Sequence, residues 1–145
     1  MFKVLILICS LCSLIYAEMI QANITAVKTQ RTIDAYTFVV TIKSDETGCE
    51  QYANWWEVLS EEGTLLYRRI LVHSHPNTQP FTRSGGILNI KPNEVVYVRA
   101  HMNTLGYVGT VMKGSVSKGF KVVTDLPTFS EKIKMQSPLP QGCLF

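Results

Sequence analysis

The chain has 145 residues, 14 Lys and Arg against 11 Asp and Glu, a formal net charge of +3 and four cysteines. A surplus so small and dispersed argues against nucleic acid or an anionic membrane as partner. The length suits one domain with a core of ordinary size.

The chain begins MFKVLILICSLCSLIYAEM, with Lys3 ahead of an apolar run that ends at the small residue Ala17. This is the pattern of a signal peptide over residues 1–17, and the run is shorter than the roughly 18–20 residues a membrane-spanning helix needs. No second hydrophobic segment follows, so the expected product is secreted or periplasmic, with no membrane span after signal cleavage. Cys12 follows Leu11, where a lipoprotein signal would carry a small residue, so a soluble form is expected over a lipid anchor. Cys49 and Cys143 remain, and in an oxidising compartment the simplest pairing joins them. Closing so long a loop contributes on the order of 4 kcal/mol in the chain-entropy model.

Strand patterns follow one another along the chain. After a first candidate at 23–30, residues 36–42 (YTFVVTI) alternate with a period of two and are rich in aromatic and β-branched side chains. The runs 52–60 and 64–73 flank Glu61-Glu62-Gly63, a three-residue connection with glycine that reads as a β-hairpin. Further strands are expected at 87–90, 94–102, 107–112 and 120–123, with turn signals at Gly85-Gly86, Lys91-Pro92-Asn93, Gly106 and Gly114. Many short strands and no long helix predict an all-β, antiparallel β-sandwich over 18–125. Residues 126–145 hold Pro127, Pro138 and Pro140 and no alternation, which predicts an irregular tail. A helical turn is expected at 130–134, with Phe129, Ile133 and Phe145 packed onto the sandwich. Asn23-Ile24-Thr25 is a glycosylation acceptor, for which a structural role is at least as strong an expectation.

The stretch ILNIKPNEVVYVRAHMNTLGYVG resembles part of a fibronectin type III domain, in which a proline precedes a strand of the form Tyr-x-Val-x-Ala. The resemblance implies an immunoglobulin-like sandwich in which Tyr97 matches a corner tyrosine bonded back to the backbone. YANWWEVLSEEGTLLYRRIL, H-x-H-P-x-x-Q-P-F-T-R-S and VRAHMNTLGYVG together are similar to a group of small exported bacterial proteins of unknown function, which implies no activity.

The candidate site residues cluster in those segments. On a strand running to residue 73 or beyond, Arg69, Leu71, His73 and His75 would share a face, with successive residues of that face about 6–7 Å apart. Tyr97, Arg99 and His101 share a face of another strand. If the two faces coincide, His73, His75 and His101 form a three-imidazole site suited to zinc or copper. Polar edging and hydrogen bonding are the stronger expectation for these histidines, and no resident cofactor is expected. Gln79 lies in the histidine motif, and Arg83 beside Ser84-Gly85-Gly86 could grip an anion through its forked donors or tie a loop to a carboxylate. Trp55 and Trp56 point to opposite faces, so one of them is core, and an exposed one would offer a platform to a sugar or peptide.

No Gly-x-Ser-x-Gly elbow, His-Glu-x-x-His pair or phosphate-cradling glycine loop occurs. The expected function is a non-enzymatic extracytoplasmic binding module for a protein, peptide or glycan, using Trp55, Arg69, Gln79, Arg83 and Arg99. The alternative is a metal-binding protein or metal-dependent hydrolase built on the three histidines.

Overall fold

Eight strands form the body of residues 19–145, which are the residues the computed structural model describes; the expected signal peptide lies outside them. In chain order the strands are β1 (Ala22–Arg31), β2 (Tyr36–Ser44), β3 (Ala53–Ser60), β4 (Leu65–Ile70), β5 (Phe81–Leu88), β6 (Val96–Met102), β7 (Val111–Ser115) and β8 (Gly119–Val123). They form two antiparallel sheets, ordered β1-β2-β5 and β4-β3-β6-β7-β8. Phe38, Val40 and Ile42 of β2 meet Trp56 and Val58 of β3 and Val96 and Val98 of β6 in one fully buried core. The expected all-β sandwich is the fold.

The first strand closes one flank. Ala22 N–H donates to Val108 O at 2.8 Å and Ile24 N–H to Thr110 O at 3.1 Å. Asn23 Oδ1 accepts from Thr110 N–H at 2.8 Å, so the residue of the glycosylation signal is a structural clasp. Gly109 is required here: its φ is +119°, and a Cβ would stand 2.4 Å from Ala22 O.

Three expectations need correction. The stretch FTRSGG, expected as a connection, is most of β5, and the strand expected at 87–90 shares only Ile87 and Leu88 with it. Gly85 is not a turn residue; a Cβ there would stand 2.5 Å from Tyr67 Oη, so glycine admits the phenol between the sheets. Next, β4 ends at Ile70, and 71–76 leave the sheet, so Arg69, Leu71, His73 and His75 do not line one strand. Finally, β7 starts at Val111 and not at 107, because 108–110 serve the seam with β1.

The five-stranded sheet has a second buried face. Trp55, Glu57 and Leu59 of β3 pair with His101, Arg99 and Tyr97 of β6 across it. The C-terminal segment covers part of this face through a 3-10 helix, Glu131–Met135, whose N-cap Ser130 accepts from Lys132 N–H. Ile133 and Phe129 pack there against Leu59, Tyr97 and Val111. This explains why β3 is buried at seven of its eight positions and shows no alternation. The Cys49–Cys143 disulfide ties the tail down, and Leu144 N–H donates to Val72 O at 2.7 Å. Phe145 touches the His73 ring but stays 76 % exposed, unlike the packed residue expected. Tyr97 faces the tail beneath Lys113 and Phe129, and its hydroxyl has no backbone partner among the described residues.

Candidate functional site

Glu57 is the centre of the outer face. Residues two apart on β3 share this side, so Glu57 stands between Trp55 and Leu59, with Arg68 of β4 and Arg99 of β6 as its cross-strand neighbours. Arg68 Nε donates to Glu57 Oε2 and Arg99 Nε to Oε1, each at 2.8 Å. Arg68 then reaches into the tail, donating from Nη2 to Ile133 O at 2.8 Å and from Nη1 to Gln136 O at 2.5 Å. Its guanidinium lies 4.5 Å from the Trp55 ring centre.

His101 lies against Trp55, their ring centres 3.6 Å apart and nearly parallel. Asn54 Oδ1 is 2.7 Å from His101 Nδ1, so that nitrogen carries the proton and donates. Burial, then the charges of Arg68, Arg99 and Lys134, push the His101 pKa down to about 4. Tyr107 packs edge-on to both rings, and burial, followed by the Glu57 charge, lifts its hydroxyl to about 12. At neutral pH this face therefore holds a neutral imidazole, a neutral phenol, two arginines and one carboxylate.

A second polar cluster lies where the chain leaves β2. Glu46 Oε1 accepts from Ser44 Oγ at 2.7 Å and from Ala53 N–H at 3.2 Å, while Oε2 accepts from His75 N–H. Arg83 Nη2 stands 2.6 Å from His75 Nε2, so the arginine donates and the imidazole carries its proton on Nδ1, 3.6 Å from Glu46. The His75 ring stacks on Phe81. Its pKa is lowered first by burial and then by Arg83, with Glu46 acting the other way. Gln79 closes the cluster, accepting from Ser44 N–H at 2.9 Å and donating to His75 O at 3.1 Å.

The expected site residues thus separate. Trp55, Arg99 and His101 share the outer face; Gln79, Arg83 and His75 share the Glu46 cluster; Arg69 is exposed and belongs to neither. His73 packs on Phe145 near the tail. The convergence of His73, His75 and His101 is corrected: among the described residues, no group of three His, Cys, Asp or Glu is placed to hold a metal ion. The aromatic platform is corrected too, since both tryptophans are buried. Glu57, Arg68 and Glu46 were missed. The available signal for Glu57 was its position two residues from Trp55 and from Leu59, a carboxylate on an otherwise apolar strand face.

A protein of Halomicrobium mukohataei bearing the name "Putative lipoprotein" is 41 % identical over 85 residues, which is 59 % of this chain and 42 % of that protein. The match spans less than half of that relative's length. No protein-family model and no solved structure matches. None of the helices among the described residues is long and apolar enough to cross a membrane. The Cys49–Cys143 bond belongs to an oxidising compartment, and the protein is an exported one.

Proposed function

We propose that the protein is a non-enzymatic extracytoplasmic binding module that takes an extended segment of a partner protein along the free edge of β4. The observation behind this reading is the edge itself. Among the described residues, β4 pairs only with β3. Leu71 N–H turns inward to Asn54 O, so the alternate residues Arg68 and Ile70 direct their backbone groups outward. Further along the same edge the chain's own C-terminus is bound in this manner, through Leu144 N–H to Val72 O and Ser74 N–H to Phe145 O. Beside it runs a groove of about 490 Å³ lined by Ile70, Val72, Leu139 and Leu144, which suits an apolar side chain of an added strand. Exposed Arg69 favours an acidic neighbour. A non-enzymatic role is supported by the two buried glutamates, whose oxygens are all occupied by the protein's own donors. The strand order supports an immunoglobulin-like reading, with strands one, two and five in one sheet and three, six and seven in the other.

A photo-crosslinker placed at Leu66 in the full chain, in its native host, tests this. The expected adducts map to one extended segment of one partner and disappear in Ile70→Pro, which removes an outward N–H together with the Ile70 side chain of the groove wall. Adducts scattered as widely as those from a control position, Val122 on β8, would count against it. The relative's name carries a second reading, a lipid anchor on Cys12. We favour the soluble form because Leu11 precedes that cysteine; the intact mass of the exported protein, starting at Glu18 or at a lipidated Cys12, separates the two.

A further inference from the structure

We propose that the cavity beside Arg99 is a binding site for a small aliphatic monocarboxylate. The cavity has a volume of about 120 Å³ and is walled by Arg99, Tyr107, Val108, Val111, Leu126 and Phe129 among others, between the outer sheet face, the 107–110 segment and the start of the tail. Liquid water takes about 30 Å³ per molecule, so the space exceeds what one water fills.

Charge is the first argument. Glu57, Arg68 and Arg99 are each more than nine-tenths buried, and they set two positive charges against one negative. Arg68 passes its remaining donors to tail carbonyls, to the Tyr107 hydroxyl and back to Glu57. Arg99 does not: its Nε serves Glu57, its Nη2 is buried without a partner, and its Nη1 makes no hydrogen bond among the described residues, while the residue itself lines the cavity. The exposed Glu131 carboxylate is held by Lys134 at 2.9 Å. Leaving a buried N–H unpaired costs roughly 1–3 kcal/mol. A water would satisfy the hydrogen bond and leave the surplus charge, whereas a carboxylate supplies a charge-assisted acceptor and neutralises the site.

Geometry narrows the ligand. The Arg99 guanidinium lies 3.5 Å from the Tyr107 ring centre and 4.7 Å from that of Phe129, so the two rings fix its plane and the direction of its free N–H. Thr110, also in the wall, has its N–H on Asn23 and its hydroxyl on Ile24 O, and offers no free donor. One guanidinium edge among apolar walls matches a monoanion with a short hydrocarbon body. A doubly charged phosphate or sulfate would overshoot the single surplus charge and find no ring of backbone donors.

The test uses the full exported chain titrated with sodium acetate, propionate and butyrate against sodium chloride at equal ionic strength. Amide resonances of Val108–Thr110 and the Arg99 Nε–H are followed. Saturable shifts are expected with the carboxylates and not with chloride. Leu126→Trp blocks the mouth from a 39 % exposed position without touching Glu57 or Arg99, and should weaken binding about tenfold or more, a loss of about 1.4 kcal/mol. Arg99→Lys keeps the charge, loses the flat fork, and should weaken binding similarly; if it does not fold, Leu126→Trp decides. No saturable shift with any of the three acids, an equal response to chloride, or undiminished binding by Leu126→Trp would each overturn the proposal.

Discussion

Two glutamates are buried with fully covered side chains, and the fold keeps them by different means. Glu57 lies in the middle of a sheet, where every backbone N–H nearby is committed to a ladder, so only side chains from adjacent strands can reach it. It meets two permanent cations, Arg68 and Arg99. Glu46 lies just past the end of β2, where the ladder stops and donors are free. It meets a hydroxyl, two backbone N–H groups and the edge of a neutral imidazole. Position in the sheet decides whether a buried carboxylate is held by charges or by dipoles.

The strongest way to break that comparison is to neutralise each carboxylate in turn. Glu57→Gln leaves two buried guanidiniums facing a neutral amide and should cost about 3–5 kcal/mol in urea unfolding. Glu46→Gln keeps an acceptor for Ser44 and the backbone and should cost about 1–3 kcal/mol. Equal losses would show that the two sites are not held differently. The disulfide links both regions, since Cys49 lies beyond Glu46 and Cys143 follows the tail segment that receives Arg68. A Cys49→Ser, Cys143→Ser double variant should lose about 2–5 kcal/mol. Faster amide exchange at Ile133 and Gln136 should accompany that loss; unchanged exchange there would detach the disulfide from the order of the outer face.

Acid should act on the two regions through their histidines. The folded His101 has a pKa of about 4, below the ordinary 6.5, so the unfolded chain takes up the proton first as pH falls. Its contribution is complete above about pH 6.5 and is lost toward pH 4, amounting to about 2 kcal/mol by pH 5. His75 is lowered as well, so its loss has the same sign, with Glu46 opposing it. Urea midpoints for wild type, His101→Gln and His75→Gln between pH 7.5 and 5 should show the larger flattening for His101→Gln. The reverse order would move the main acid sensitivity to the Glu46 cluster.

How legible these regions were follows from the same physics. β2 and β6 were readable because alternation and β-branching coincide there, and the β3–β4 hairpin because Glu61-Glu62-Gly63 has the chemistry of a short loop. β5 was hidden because Gly85-Gly86 signals a turn locally, while its reason is the Tyr67 ring arriving from another strand. The odd-numbered face of Tyr97, Arg99 and His101 was readable, whereas its partner Glu57 was signalled only by standing between Trp55 and Leu59, since β3 is covered on both sides and has no period to read. The Glu46 cluster joins residues from 44 to 83 through a loop whose path no local pattern specifies.

The finest test concerns a single dipole. If Glu46 is held by several neutral donors, Ser44→Ala removes one of them, the 2.7 Å hydroxyl bond, and should cost only about 1–2 kcal/mol because Ala53 and His75 still donate. Ser44 and His75 share the carboxylate, so combining Ser44→Ala with His75→Gln should depart from additivity by about 0.5 kcal/mol or more. Ser44→Ala combined with Glu57→Gln should add within about 0.5 kcal/mol, because no partner is common to the two networks. Coupling between Ser44 and Glu57 as large as that between Ser44 and His75 would mean that the tail and its disulfide merge the two glutamate sites into one cooperative unit.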